Sequence, residues 1–408
     1  MKKVSDIVKR AGPAFLTTSS VFGPASVLMA AIAGAKYGYA CTWVLWLLLI
    51  DRILFLDIGA RVGFCHKTTF GDDIRSRWRI GKPLAFVACI TIALPLVVYT
   101  ASNVLGTALA ATTMFDGNLL VWGLLFMGIA IGITLSKKSY QILQKLAVFF
   151  MTLMFIAFFI TVCITGIDVG AFCRGLIPDF SNTGAMLYAL AIFLTNSSQQ
   201  GVIHQYVVKQ NHYTRDQIKN DCRTDSNLST VFVVCIIGMI MAVSAETLGK
   251  TGAVPTSAPG FVAMLEPLAG TAAKYIFGLG LFGAAITSVN GSSQVVGLGI
   301  CDAFGILKNG YEDKAQKIIT IVDIIVMGLY GLLPVYFGWA SQLDIYMVAS
   351  LMTAVTIPVC GTCILLMYRD KKKMGDLVCG NGVYAFAWIL FLFIVCFCLY
   401  NFASSYIL

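Results

Sequence analysis

Eleven stretches of this chain are apolar over lengths that approach or exceed the roughly 20 residues a helix needs to cross a bilayer. They fall near 12–36, 38–62, 83–111, 119–136, 146–166, 185–208, 228–249, 274–303, 318–338, 344–368 and 382–402. Hydrocarbon offers no partner to a peptide group, so such stretches are confined to helices that satisfy their own backbone. The composition agrees. Of 408 residues 58% are hydrophobic and 12% charged, whereas a soluble domain carries about 25% charge. The expectation is an all-α polytopic membrane protein, one domain over 1–408, with no soluble domain and no cleavable leader.

The formal net charge of +9 does not point to nucleic acid. Most Lys and Arg lie at the N-terminus or in alternate loops: 63–82, 137–145, 209–223, 308–317 and 369–373. The opposite loops, such as 167–184 and 250–273, are nearly free of them. The positive-inside rule then places the N-terminus in the cytoplasm, and eleven spans place the C-terminus outside, in a cell membrane. The 13 cysteines sit mostly within spans and read as small buried apolar residues, Cys360-x-x-Cys363 among them. There is no Walker loop, no zinc-like His/Cys spacing and no nucleophile–base–orienter set. An enzyme, an ATP-driven pump and a bound cofactor are therefore not expected.

Two spans are interrupted. The first carries Gly23-Pro24-Ala25-Ser26 at its middle, where Pro24 removes a donor and Gly23 adds backbone freedom. The sixth carries Thr195-Asn196-Ser197-Ser198-Gln199-Gln200. A packing kink and interhelical polar glue are the bland readings. Interrupted helices at corresponding places in two halves are instead the sequence pointer to a transporter site. Span 2 carries Asp51-Arg52 and, four apart, Asp57 and Arg61. The second pair reads as mutual neutralisation. Asp51 pairs with Arg52 or faces a cavity and attracts a cation. Glu246, Asp302 and Asp323 read as structural, and Ser288, Asn290, Ser292, Ser293 and Gln294 form a polar face on span 8.

Along almost its whole length the chain resembles the Nramp family of divalent-metal transporters. The matching segments are GPAF at 12–15, AGAKYGY at 33–39, Trp43 to Arg61, the span-3 segment from Leu84 to Ala110, IP…RDKKKMG at 357–375 and YAFAWILFLFIVCFCLY at 384–400. The resemblance implies a leucine-transporter-like fold. Two inverted five-helix repeats (1–166 and 185–368) are followed by an extra helix at 382–402, and spans 1 and 6 are unwound at mid-membrane around the solute.

The departures are chemical. The family's first-span Asp-Pro-Gly-Asn stands as Gly23-Pro24-Ala25-Ser26, and its sixth-span Met-Pro-His as Ser197-Ser198-Gln199. The metal-binding carboxylate, the thioether and one His are gone. The second family His remains as His204, and the backbone-carbonyl ligand falls on Leu194. The acidic pair of span 3 aligns with Thr100 and Asn103, the paired Arg of span 9 with Gln316-Lys317, and a polar span-10 position with Ser350. By this alignment Ser26, Leu194 and Ser197 are weak metal-ligand candidates. Gly23, Ser26, Leu194, Asn196, Ser197, Gln199 and Ser350 would bind substrate. Asp51, Thr100, Asn103 and His204 would attract or couple cations. A thioether selects softer metals, so its loss favours a hard, partly hydrated ion such as Mg²⁺. The character is that of the Nramp-related magnesium transporters. The expected function is alternating-access passage of divalent cations, Mg²⁺ and then Mn²⁺, without the family's proton coupling. The alternative is a small polar organic solute on the same fold.

Overall fold

The computed structural model describes residues 12–179, 181–197, 199–211, 213–255, 258–308 and 310–406. Among these, the apolar stretches fold in order into helices: α1 Pro13–Ser19, α2 Pro24–Tyr37, α3 Val44–Cys65, α4 Phe70–Arg77, α5 Gly81–Phe115, α6 Leu119–Leu135, α7 Ser139–Thr165, α8 Thr183–Asn196, α9 Gln199–Lys209, α10 Arg223–Glu246, α11 Ala258–Ala303, α12 Lys314–Tyr336, α13 Gln342–Tyr368 and α14 Asn381–Tyr406. The first predicted span is α1 plus α2, and the sixth is α8 plus α9. Five helices are long and apolar enough to cross a membrane unaided, and a sixth qualifies if the bent segment Met352–Leu377 counts as one span. The two broken spans fall short because each half is brief. α3 carries Asp51, Arg52, Asp57 and Arg61 inside it.

Close packing of small residues sets the helix directions. α5 and α11 run antiparallel: Gly278 lies against Met114 and Gly299 against Cys89, and Thr100 bonds Ser292 at 3.0 Å. α2 and α10 are also antiparallel, with Gly34 against Met241 and Ser244 Oγ donating to Ala31 O at 2.6 Å. α3 and α9 run parallel and touch through glycine. A Cβ on Gly59 would meet Gly201 O at 2.0 Å, and one on Gly63 would meet Gln205 O at 2.7 Å. Large apolar side chains stay exposed on α6, α7, α12 and α14, among them Leu124, Phe159, Val326 and Ile389. Such a surface suits hydrocarbon, where water would expel it. Buried polar side chains concentrate on α1, α5, α9 and α11.

At one end, the loop helix α4 is clamped by charge. His66 Nδ1 lies 2.9 Å from Asp73 Oδ2, and Lys373 reaches the other oxygen. Burial would raise the Asp73 pKa, but these two hydrogen bonds overcome it and hold the carboxyl at about 2. Asp302 caps the start of α4, accepting from Gly71 N at 2.8 Å, Thr69 Oγ1 at 2.5 Å and Tyr206 OH at 2.6 Å. Asp57 and Arg61 pair at 2.8 Å. At the other end Glu246 accepts from Tyr39 OH at 2.7 Å and pairs with Lys250.

Candidate functional site

The first break spans residues 20–23, between α1 and α2. Pro24 is the first residue of α2 and therefore does not kink a continuous helix. The first helical position tolerates proline because its missing N–H has no intrahelical partner there. The break thus lies one turn earlier than the tetrapeptide suggested. Its carbonyls are met from α11: Ser288 Oγ lies 2.6 Å from Ser19 O and 3.0 Å from Phe22 O, one donor shared between two acceptors. Ser26 Oγ turns back toward Val21 O at 3.4 Å. Gly23 faces α5, where an added Cβ would sit 2.4 Å from Asn103 Oδ1. Gly291 lies as closely against Ser20. The Asn103 amide nitrogen is buried without a partner.

The second break, between α8 and α9, is shorter. The predicted polar run narrows to residues 197–198, and Ser198 lies outside the described residues. Asn196 ends α8 with its Nδ2 on Ile192 O at 3.0 Å, leaving its Oδ1 buried without a partner. Ser197 Oγ donates to Leu194 O at 3.2 Å, so the Leu194 carbonyl already has a local donor. Gln199 and Ser350 lie on α9 and α13, with side chains outside the described residues.

One side chain bonds helices that flank both breaks. Arg52 of α3 is 1% exposed. Its Nη1 donates to Asn196 O at 3.1 Å and to Gln200 Oε1 at 2.5 Å, and its Nη2 donates to Thr18 Oγ1 at 2.5 Å. Its neighbour Asp51 attracts it electrostatically without a hydrogen bond, both carboxylate oxygens being buried without a hydrogen-bond partner. Adjacent helical residues point different ways. Asp51 therefore does not enter the breaks and lies near Cys398 of α14. The charge that reaches the site is positive, where the sequence reading had considered a negative one.

Thr100 bonds Ser292 and also donates to Asp323 Oδ2 at 2.9 Å. Asp323, read from sequence as structural, thus brings a carboxylate onto the α5 face where the family's acids align. Gln316 Nε2 bonds Gln294 O and Thr320 Oγ1, both at 3.1 Å, and Lys317 turns to Ser136 O at 3.3 Å. His204 is enclosed, with Nδ1 2.8 Å from Thr17 Oγ1 and Nε2 3.7 Å from Cys222 Sγ. Asp225 of α10 caps α1 across the fold: Gly12 N donates to Oδ1 at 2.8 Å and Ala14 N to Oδ2 at 2.7 Å. Sequence reasoning passed over Asp225, named Arg52 only as a partner for Asp51 and read Asp323 as structural. For Arg52 a signal was present. Gly59 and Gly63, four apart, mark a helix face built for close approach, and Arg52 stands two turns before Gly59 on that face.

The donors at the breaks are hydroxyl, amide and carbonyl oxygens. Such a set suits a hard cation that keeps much of its water, or a polar organic solute. Among the described residues no group of three or more His, Cys, Asp or Glu is arranged to hold a metal.

The comparisons with known proteins follow this geometry. Residues 14–404 match the family model described as natural resistance-associated macrophage protein-like, Nramp. The divalent metal cation transporter MntH of Mesorhizobium japonicum is 24% identical over 398 residues, covering 93% of this chain and 85% of the relative. The MntH of Deinococcus radiodurans is 21% identical, covering 94% and 87%. Among solved structures, the Eremococcus coleocola manganese transporter, in complex with an aromatic bis-isothiourea substituted compound, superposes with a TM-score of 0.76 at 16% identity, over 98% of this chain and 87% of that one. MhsT in complex with L-phenylalanine gives a TM-score of 0.59 at 14% identity, over 97% and 98%. The fold is the leucine-transporter-like one, with its first and sixth spans broken, and the chain belongs to the Nramp family.

Proposed function

We propose that this protein is a secondary transporter or facilitator of divalent metal cations, working by alternating access, with Mg²⁺ as preferred cargo and Mn²⁺ second. The observation that carries the reading is the pair of helix breaks joined by one side chain, in a chain of a family whose relatives bear the name of divalent metal cation transporters. The free Asn196 Oδ1, the hydroxyls of Ser26 and Ser197 and the break carbonyls are hard oxygen donors, and no thioether stands among them. Mg²⁺ retains several waters, which amides and hydroxyls hold by hydrogen bonds. Residues 1–166 and 185–368 act as two halves that rock around the breaks, with the N-terminus cytoplasmic. Proton coupling of the family's kind is absent, because its acids are replaced by Thr100 and Asn103. Uptake into proteoliposomes tests the reading. Mg²⁺ and Mn²⁺ enter above empty vesicles under an inward gradient, and failure of both under several gradients overturns it.

Arg52 favours a second reading. Two unit charges 4 Å apart interact by about 4 kcal/mol at an effective dielectric near 20, so a dication beside this guanidinium meets roughly twice that repulsion. A fixed positive charge suits the carboxylate of a small polar organic solute. Thermal-shift screening separates the two readings: stabilisation by a metabolite and by no metal favours the second.

A further inference from the structure

We propose that the Arg52 guanidinium is a resident cation, seated at the carbonyl end of α8 where a transported dication would sit, and that loading the site exchanges one for the other. The proposal rests on reading the two breaks as the cation site.

α8 is 14 residues long and ends at Asn196. The carbonyl end of a helix carries partial negative charge. Arg52 Nη1 takes the Asn196 carbonyl and the Gln200 amide oxygen, and Nη2 takes the Thr18 hydroxyl. A carbonyl, an amide oxygen and a hydroxyl are the ligand types a hard cation accepts. Asp51 attracts the guanidinium electrostatically but accepts no hydrogen bond, so these hydrogen bonds of Arg52 all go to neutral oxygens. Dipoles that replace lost water hold a buried charge, and the end of α8 provides them.

The fit is incomplete. Asn196 Oδ1, Gln200 Nε2 and Arg52 Nε are all buried without a partner. Of these, Asn196 Oδ1 is an acceptor open to a second cation, and the two N–H groups are donors that suit an oxygen of its hydration water. Guanidinium keeps its proton under any physiological condition, so it yields the position only by moving. While seated it ties α3 to α1 and to both halves of span 6. Exchange therefore unties the broken helices at the moment cargo arrives, which links occupancy to movement.

The test uses the purified full-length chain in detergent. Mn²⁺ binding is read by electron paramagnetic resonance, Mg²⁺ by competition and folding by thermal unfolding. Arg52→Gln binds Mn²⁺ about tenfold tighter than wild type, or more, as removal of an adjacent positive charge requires. Free guanidinium ion at millimolar concentration competes with Mn²⁺ in Arg52→Ala and restores the weaker binding. Arg52→Lys, which keeps the charge but cannot span the three seats, shifts affinity the same way by a smaller factor and decides the matter if neither neutral variant folds. Unchanged or weaker Mn²⁺ binding in folded Arg52→Gln overturns the proposal, as does weaker binding in Arg52→Lys. Wild-type proteoliposomes report separately on transport. If they admit neither metal while Arg52→Gln binds Mn²⁺ tighter, the exchange stands and the transport reading falls. If they admit metal and Arg52→Gln is unchanged, the reverse holds.

Discussion

At the first break the chain leaves helical geometry over residues 20–23, and its carbonyls are met by the Ser288 hydroxyl under a cover of Gly291 and Asn103. At the second it leaves at Ser197, and the carbonyl that ends α8 is met by the Arg52 guanidinium. Neutral donors and tight packing close the one, and a charge on a long flexible stem closes the other. A neutral hydroxyl is not displaced by a cation on electrostatic grounds, whereas a guanidinium competes directly with it. On the proposed reading, the charge-sensitive part of specificity would lie at the second break.

Substitution at Gly23 strains this contrast most. Gly23→Val places branched bulk where a Cβ is already 2.4 Å from Asn103 Oδ1 and 3.1 Å from Ser288 Oγ. Overpacking of this kind costs roughly 1–3 kcal/mol. Thermal unfolding should fall accordingly and uptake be lost, and Asn103→Ala in the same chain should recover part of the stability. If Gly23→Val matches wild type in both, the first break is not closed by packing.

Next comes Ser288→Ala, which orphans the Ser19 and Phe22 carbonyls. The expected loss is about 1–2 kcal/mol in unfolding, with Mn²⁺ affinity within about twofold of wild type. A large change in affinity would move specificity to the first break and dissolve the contrast.

A pH gradient probes the polar corridor beside the first break. With Thr100 and Asn103 in place of acids, an inward proton gradient should neither drive uptake nor acidify the vesicle lumen along with it. Acidification that accompanies metal entry and disappears in Asp323→Asn would assign coupling to Asp323, which accepts from Thr100 at 2.9 Å.

The smallest effect belongs to the loop clamp, far from both breaks. The Asp73 carboxyl is held at about 2 by His66 and Lys373, below its unfolded value near 3.9. Its contribution is therefore complete above about pH 4 and is lost as pH falls toward 2. Lys373→Met should lower thermal stability near neutral pH, flatten its further loss in acid because the Asp73 pKa moves back toward the unfolded value, and leave metal affinity alone. An affinity change would tie the loops to the site.

The fold was legible because hydrocarbon permits few solutions: apolar runs of this length fold as helices, and proline or a polar run at mid-span marks a break. Placement was less so. Pro24 starts a helix as readily as it ends one, so the tetrapeptide marked the break but not its bounds. The polar run at 195–200 proved mostly helical, since Thr195 and Asn196 bond back to Ile192 O at 3.0 Å and keep the α-geometry through Asn196. At Asp51-Arg52 the sequence left two arrangements open, because successive residues on a helix diverge by about 100°. The long Arg side chain found the α8 carbonyl end, while Asp51 was left against α14. Asp225 and Asp323 act across more than 200 residues of sequence, and a single chain carries no local signal for such contacts.

The capping of α1 by Asp225 has a mechanical consequence. Seven residues make a rod of about 10 Å, too short to persist alone. Its starting N–H groups are gripped by the two oxygens of one carboxylate. Two parallel bonds to a single group forbid sliding at that end, and the Ser288 hydroxyl on Ser19 O holds the other, so a helix too short to stand alone is secured at both ends from α10 and α11.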